Sequence, residues 1–156
     1  MDRQNNLRYR VAPLEMSPSE FRKAGYRMVD EIAEFLCSLP ERPVTPHETP
    51  MRVREALGTG SLPKDGMDAQ QLLEDTAHLV FDYSLLNGHP RFMGMITSSA
   101  APIGALGELL AAAVNPNIGS WALAPIATEI EAQTIRWLAE MIGYPTDCGG
   151  LMVSGG

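Results

Sequence analysis

The sequence contains few of the groups that build metal centres, disulfide frameworks or nucleic-acid surfaces. Its two cysteines, Cys37 and Cys148, are too few and too far apart for a disulfide scaffold or a zinc site. Its three histidines, His47, His78 and His89, show no ligand spacing, so we expect no bound metal. The net charge of -7 opposes binding to nucleic acid, because phosphate contacts need clustered lysine and arginine.

Long apolar runs and an export signal are also lacking. The most apolar stretch, residues 106–114, is interrupted by Gly107 and Glu108 and is far shorter than the roughly 20 residues that a bilayer crossing needs. Met1 is followed by polar residues with no apolar signal core, so export is not indicated. The sparse use of cysteine fits a reducing compartment, and we expect a cytoplasmic protein with no membrane partner.

Lysine is equally scarce, since the chain carries only Lys23 and Lys64. Lys23 falls on the polar side of a predicted helix, and Lys64 lies in a Pro-Lys-Asp-Gly turn. Neither residue has the buried setting that turns an amine into a nucleophile. The scattered histidines likewise give no basis for a Ser-His-Asp triad, which is recognised by its geometry.

Apolar periodicity predicts a mainly helical chain. The first helix is expected over residues 17–39, because Ser17 and Glu20 can form a capping box and apolar side chains then recur at three- and four-residue steps. Four prolines between residues 40 and 50 predict an extended strap. Two later pairs, Asn87-Gly88 and Asn115-Pro116, are typical helix stops. Further helices are predicted over residues 51–57, 68–86, 102–114 and 125–142.

The predicted helix over residues 102–114 is unusually rich in alanine and glycine, and Glu108 is its only charged residue. Such a helix has little bulk and little polarity on any side. We therefore expect it to be buried closely against a neighbouring backbone or against another subunit.

The last six residues combine a predicted strand with a glycine turn. Residues 151–153 are expected to form a short buried strand, and Ser154, Gly155 and Gly156 a sharp turn that leaves it. A helix usually follows such a turn, and the joint between strand and helix is where backbone amides hold phosphate. We therefore expect the sequence to continue beyond residue 156, which would make the chain a fragment. A plain glycine-rich tail is the alternative.

Two polar features allow more than one interpretation. Thr97, Ser98 and Ser99 form a hydroxyl-rich patch, and such runs usually bond to backbone at a helix start. Contact with a substrate or a phosphate is the alternative for this patch. His89 precedes Pro90 and is expected to shape a turn, because proline forces the residue before it out of helical angles.

Seven segments occur in an order that is similar to that of a known family. They are SPSEFR at 17–22, DEIA at 30–33, RPV at 42–44, HPRF at 89–92, NPNIGSWALAPIATEIE at 115–131, GYP at 143–145 and LMVSGG at 151–156. From about residue 16 onward, the chain resembles the amino-terminal portion of group II pyridoxal-phosphate-dependent amino-acid decarboxylases, in particular those that act on aromatic L-amino acids. Each segment alone is weak evidence, but the ordered set is specific.

The resemblance implies a fold and a division of the chain. The expected fold class is mainly α: an amino-terminal helical segment, then the first helices and first strand of the α/β large domain of a type I pyridoxal-phosphate-dependent transferase. Residues 1–15 would be a flexible terminus, and residues 16–88 a helical segment that wraps around the partner subunit. Residues 89–156 would be the truncated start of the cofactor-binding domain.

The resemblance also implies where a substrate and a cofactor would bind. Thr97 and Ser98 correspond to positions that line the substrate and cofactor site. Residues 117–121 correspond to a loop that reaches into the neighbouring subunit's substrate pocket, where the implied substrate-binding residues are Asn117, Gly119 and Trp121. Relatives that act on aromatic amino acids often carry a bulky aromatic residue at the position of Gly119, so the substrate preference stays open. The implied entry to the cradle for the cofactor phosphate consists of Ser154, Gly155 and Gly156.

The implied activity is that of a carboxy-lyase that works as a homodimer on a small amino acid, with pyridoxal 5'-phosphate in the full-length parent. In this family the Schiff-base lysine, the acidic partner of the pyridine nitrogen and the histidine stacked on the ring would lie beyond residue 156. We therefore expect this chain to contain no catalytic residue, to bind no cofactor alone and to be inactive alone. It would supply a dimer interface and pocket walls. The alternative is a non-catalytic helical module for dimerisation or interaction.

Overall fold

The computed structural model describes residues 14–58 and 60–153. Within these ranges the regular structure is helical, which confirms the predicted fold class. It comprises α1 Pro18–Ser38, the 3-10 turn Leu39–Glu41, α2 Pro50–Leu57, α3 Ala69–Tyr83, α4 Pro102–Val114 and α5 Pro125–Met141. None of the helices in these ranges is long and apolar enough to span a membrane.

The chain divides into two compact units, Met1–Ser99 and Ala100–Gly156. The boundary between the units falls at residue 99, whereas the predicted division at residue 88 rests on the resemblance and on roles in a dimer. That division stays a prediction. The flexible terminus expected over residues 1–15 lies almost entirely outside the described residues.

Helix α1 begins at the predicted capping box. The Glu20 amide donates to the Ser17 hydroxyl at 3.2 Å, and the Ser17 amide donates to a Glu20 carboxylate oxygen at 2.8 Å. Two of the amides that a helix start leaves without partners are satisfied in this way. Pro18 occupies the first helical position, where its missing N–H costs nothing.

Helices α1 and α3 pack against each other and form the core of the first unit. The rings of Phe35 on α1 and Phe81 on α3 stack with their centroids 4.2 Å apart and their planes within 7°. Ala24 and Ala77, one on each helix, are buried. The small alanines let the two helices approach, and the stacked rings add an aromatic contact between them.

Arg42 ties the proline-rich strap to this core. Its guanidinium carbon lies over the Phe35 ring, 5.2 Å from the centroid, while its Nε donates to the Ser38 hydroxyl at 2.8 Å. Its Nη1 donates to an Asp82 carboxylate oxygen at 3.1 Å. A planar guanidinium can stack and donate in several directions at once, which a lysine cannot do.

Helix α3 ends at Tyr83, three residues before the predicted end at Leu86. Ser84 has extended backbone angles, and the buried Leu86 donates its amide to the Val44 carbonyl of the strap at 2.9 Å. The backbone therefore leaves the helix to satisfy a partner 42 residues earlier in the chain. The asparagine and glycine at 87 and 88 lie in a turn after that contact rather than at the helix end.

The second unit contains α4 and α5, which do not pack against each other within the described residues. Helix α4 has no buried residue, so the burial expected for it is not provided by the described part of this chain. Ala124 and Ala139 are the buried apolar residues of this unit's described part. Burial of α4 against another subunit stays a prediction.

The prediction of a strand over residues 151–153 is wrong. These residues have irregular, exposed backbone, because a strand exists only where a neighbouring strand pairs with it and the described residues include none. The Met152 amide instead donates to the Glu131 carboxylate of α5 at 2.8 Å.

Candidate functional site

The predicted site residues fall into three groups. Thr97 and Ser98 belong to the first unit, and Asn117, Gly119 and Trp121 belong to the second. The implied phosphate contacts lie outside the described residues; they are Ser154, Gly155 and Gly156.

The loop after α4 begins at a left-handed residue. Asn115 has φ 46° and ψ 53°, and its amide donates to the Ala111 carbonyl at 2.8 Å. Asparagine tolerates this conformation better than residues other than glycine, so it ends the helix without much strain. The predicted break at this asparagine is confirmed.

The substrate loop, defined as residues 115–124, is closed by short-range hydrogen bonds. The Asn117 side-chain oxygen accepts the Gly119 amide at 2.9 Å, which forms an Asx turn. The Ser120 carbonyl then accepts the amides of Leu123 at 3.1 Å and Ala124 at 3.3 Å. The loop leads directly into α5 at Pro125.

Gly119 is tightly placed within this turn. A Cβ at this position would lie 3.0 Å from the Asn117 side-chain oxygen. A larger residue there would therefore require Asn117 to shift and would weaken the Asx turn. The absence of a side chain at residue 119 thus leaves room for the Asn117 side-chain oxygen in this turn.

Trp121 is hydrogen-bonded at its polar edge and is more than half exposed. Its indole Nε1–H donates to the Glu129 carboxylate at 2.9 Å, and 58% of the residue is exposed. Glu129 lies in the second turn of α5, a rigid element. Trp121 and Glu129 are eight residues apart, and this separation leaves no periodic signal in the sequence that could have indicated the contact.

Thr97 and Ser98 lie on exposed, irregular backbone after an apolar segment. Met95 in that segment has φ 62°, a left-handed angle that costs free energy for a residue with a side chain. Helix α4 is capped by Ala101 and receives no side-chain hydrogen bond at its start, so the hydroxyls do not cap it. The capping interpretation of the hydroxyl patch is wrong, and contact with a ligand stays a prediction.

His89 is a structural residue rather than a ligand-binding one. It is only 2% exposed, its Nδ1 accepts the Arg91 amide at 3.0 Å, and its Nε2 lies 2.9 Å from the Arg42 carbonyl oxygen. The amide of Phe92 donates to the His89 carbonyl at 2.9 Å. The expectation that His89 shapes a turn is confirmed.

A cleft of about 320 Å³ in the second unit lies between α5 and the segment that follows it. Gly150 lines it, and a Cβ there would lie 2.7 Å from the Ile135 side chain, so only glycine fits without movement. The same segment is held two residues later by the bond from Met152 to Glu131. Helix α5 therefore binds two flanking segments through two carboxylates, Glu129 and Glu131.

The conserved domain of pyridoxal-dependent decarboxylases matches residues 50–156. The chain is 33% identical to an aromatic-L-amino-acid decarboxylase of Bacillus atrophaeus over 92% of this chain and 30% of that protein. It is 32% identical to a tyrosine decarboxylase of Oryza sativa subsp. japonica over 92% of this chain and 26% of that protein. It is 31% identical to a phenylacetaldehyde synthase of Petunia hybrida over 83% of this chain and 26% of that protein.

Solved structures show the same similarity. A crystal structure of Oryza sativa TDC with PLP is 25% identical and superposes with a TM-score of 0.78 over 94% of this chain and 30% of that one. A Rhodiola rosea 4-hydroxyphenylacetaldehyde synthase is 26% identical, with a TM-score of 0.73 over 83% of this chain and 28% of that one. The chain thus spans less than a third of the length of these relatives.

Pyridoxal phosphate is the cofactor of the decarboxylases that this chain matches. The described residues do not form a complete site for it, because Lys23 and Lys64 are both exposed on the surface. The described residues also contain no cluster of three histidine, cysteine or acidic side chains that could hold a metal ion.

Proposed function

Because the chain belongs to the pyridoxal-dependent decarboxylase family, we propose that it forms part of a carboxy-lyase that acts on an amino acid. Its own contribution is to supply walls of the substrate pocket and a surface for a second subunit. The observation that carries this proposal is the family match over residues 50–156, which includes both candidate substrate segments, residues 97–98 and 117–121.

The substrate class follows from the relatives and from the substrate loop. The names of the relatives specify aromatic L-amino acids, tyrosine and, in a Homo sapiens protein 32% identical over 130 residues, histidine. All of these substrates carry a planar ring. Trp121 offers an exposed indole to such a ring, and aromatic pairs gain about 0.5–1.5 kcal/mol beyond simple burial. Gly119 adds no side chain, so the indole is the loop's aromatic surface.

A second copy of the chain is the proposed partner. Helix α4 exposes a continuous set of apolar side chains, and large exposed apolar patches mark surfaces that associate. The exposed residues are Ile103, Leu106, Leu109, Leu110 and Val114. Homodimerisation through this surface would also provide the burial that the composition of α4 predicts.

The isolated chain, on this proposal, neither binds the cofactor nor catalyses. Both lysines are solvent-exposed, and an exposed amine lacks the desolvated setting that a cofactor-binding lysine requires. Cys37 and Cys148 are both free thiols, which supports the proposed cytoplasmic location.

A non-catalytic helical interaction module is the second candidate. The exposed apolar face of α4 favours it, since a module that only binds would show the same surface. The absence of a buried amine from the described residues fits it equally well.

An activity assay on the native gene product that contains this chain distinguishes the two candidate functions. We would purify this gene product with an antibody raised against the chain, add pyridoxal phosphate and measure release of carbon dioxide from carboxyl-labelled tyrosine, tryptophan and histidine. The proposed function predicts release from at least one of them. A product of 17.0 kDa that forms a complex but neither retains the cofactor nor releases carbon dioxide would favour the module instead. Because phenylacetaldehyde synthases are among the relatives, the organic product must be identified as amine or aldehyde.

A further inference from the structure

Glu129 makes a contact that the family match does not explain. Its carboxylate accepts the Trp121 indole N–H at 2.9 Å, which joins the substrate loop to α5. Hydrogen bonds to a charged acceptor are roughly twice as strong as those between neutral groups. The indole has only one polar atom, so this single bond fixes the edge of the ring, while 58% of the residue stays exposed.

The position of Glu129 on α5 makes the contact specific. Residues two apart on a helix point about 200° apart, so Glu129 and Glu131 lie on opposite sides of α5. Glu131 binds the Met152 amide on its own side at 2.8 Å. Glu131 therefore cannot replace Glu129 as the acceptor for the indole.

The loop itself has little that could orient the ring. Its hydrogen bonds hold backbone, through Asn117 to Gly119 and through the Ser120 carbonyl, and none of them touches the indole. Trp121 is the one aromatic residue of the loop, and Gly119 has no side chain to pack against it. Without Glu129 the indole would lose this hydrogen bond, which removes one restraint on its side-chain rotamer.

We propose that Glu129 is a positioning residue for substrate recognition: its carboxylate holds the Trp121 indole in one orientation, and the open face of that ring contacts the planar side chain of the amino-acid substrate. This inference rests on the proposed function. It assigns Glu129 an effect on substrate binding and none on the bond-breaking step.

The first test is spectroscopic. The native gene product is labelled with 5-fluorotryptophan, and the Trp121 resonance is identified by its loss in Trp121→Phe. Glu129→Ala should shift and broaden this resonance, because the ring then samples several rotamers. Glu129→Gln keeps an acceptor oxygen of the same length and should restore a sharp resonance close to that of the wild type. Glu140→Ala removes an exposed carboxylate near the end of α5 and should leave the resonance unchanged.

The second test is kinetic, on the same proteins. Glu129→Ala should raise KM for the aromatic amino-acid substrate about fivefold with kcat within about twofold, the pattern expected when an interaction that binds substrate and transition state equally is lost. Glu129→Gln should lie close to the wild type. A general loss of folding would instead lower kcat and the melting temperature together, so the melting temperature of each variant is recorded.

The outcomes separate this inference from the proposed function. A Trp121 resonance that is unchanged in Glu129→Ala overturns the positioning role. A resonance that moves while KM stays the same shows that the indole does not contact the substrate, which also overturns the inference but leaves the proposed carboxy-lyase intact. If the wild-type protein releases no carbon dioxide, the proposed function fails and this inference fails with it.

Discussion

At the scale of single residues, the imidazole of His89 joins backbone segments that share no regular secondary structure. Its Nδ1 accepts the Arg91 amide at 3.0 Å, so the ring proton must be on Nε2, which donates to the Arg42 carbonyl at 2.9 Å. The His89 amide donates to the Leu86 carbonyl at 3.0 Å. One side chain thus satisfies backbone groups that a helix or a sheet would satisfy elsewhere.

Replacement of His89 by alanine should lower the free energy of unfolding by about 2 kcal/mol. The substitution leaves the Arg42 carbonyl and the Arg91 amide without these partners in a partly buried place. Each unsatisfied group costs about 1–3 kcal/mol, less the free energy that a hydrogen bond to water returns. Urea denaturation measures the change. His78→Ala, at an exposed position on α3, is the matched control and should change stability by less than about 0.5 kcal/mol. Equal stability of the two variants would contradict the structural role of His89.

The capping box of α1 should respond to acid through Glu20. Its hydrogen bonds with Ser17 hold the pKa of the Glu20 carboxyl below its ordinary value of 4.5, against smaller opposing effects of desolvation and then of the Asp68 carboxylate. Because the pKa is lowered in the folded state, the stabilisation is fully present above 4.5 and is lost as the pH falls through the lowered pKa.

The measurement is a titration of the Glu20 side-chain carbon by NMR in wild type and Ser17→Ala. The pKa of Glu20 should rise toward its ordinary value when the serine hydroxyl is removed, and helicity at the start of α1 should become less sensitive to acid. An unchanged titration curve in Ser17→Ala would show that the hydroxyl is not responsible for the lowered pKa.

At the scale of helices, local signals were sufficient where a boundary is set locally. Four helices begin within about a residue of the predicted positions, because caps and prolines act on neighbouring backbone. The residues at these starts are Ser17 with Glu20, Pro50, Asp68 and Pro125. The end of α3 was predicted wrongly, since Leu86 leaves the helix for a strap residue far away in sequence. The strand at residues 151–153 failed for a related reason: a strand is defined by its partner, and alternation of side chains does not reveal whether one is present.

The candidate site shows the same division between local and distant causes. The left-handed Asn115 and the Asx turn at Asn117 follow from residue types that favour such turns. The carboxylates of Glu129 and Glu131 have no such signal, because they bind segments 8 and 21 residues away with no fixed periodicity. An acidic residue on a helix is usually solvated, and only the three-dimensional structure shows that these two carboxylates bind neighbouring segments.

Between α1 and α3, Arg27 lies near two carboxylates. Its Nε is 2.9 Å from an oxygen of Glu31 and 3.4 Å from one of Glu74. Glu31 is only 9% exposed, yet neither of its carboxylate oxygens has a partner with hydrogen-bond geometry. The contact with Arg27 is therefore an ion pair by distance and not a directed hydrogen bond. Such a buried carboxylate costs desolvation that a single poorly directed cation does not fully offset.

A double-mutant cycle at Arg27 and Glu31 should reveal this imbalance. Glu31→Met should be neutral or stabilising by up to about 1 kcal/mol, because an apolar side chain of similar size removes the desolvation cost. Arg27→Met should destabilise by about 2 kcal/mol, since the buried carboxylate then loses its main cation. The double variant should return close to the wild type. Glu34→Met, at an exposed position of α1, is the matched control for Glu31→Met, and equal destabilisation by these two changes would contradict the imbalance.

For the whole molecule, the two units differ in the number of packing contacts between their own helices. The first has a packed contact between α1 and α3, a stacked aromatic pair and an anchored strap. The second has two helices that do not pack on each other within the described residues and an α4 with no buried side chain. Exposed apolar surface of this kind marks a site of association, which agrees with the second copy proposed as a partner. The chain spans 26–30% of the length of these relatives.

The isolated 156-residue chain should therefore form no specific covalent adduct with pyridoxal phosphate. Its lysines, Lys23 and Lys64, are both exposed, and an exposed amine reacts with an aldehyde only weakly and reversibly. After mixing with the cofactor, reduction with borohydride and peptide mass spectrometry, we expect trace labelling shared between the two lysines. Lys23→Arg and Lys64→Arg should each remove only their own share. Stoichiometric labelling of one lysine, abolished by the matching arginine variant, would show that the chain contains a cofactor site of its own and would contradict its proposed role as a supporting segment.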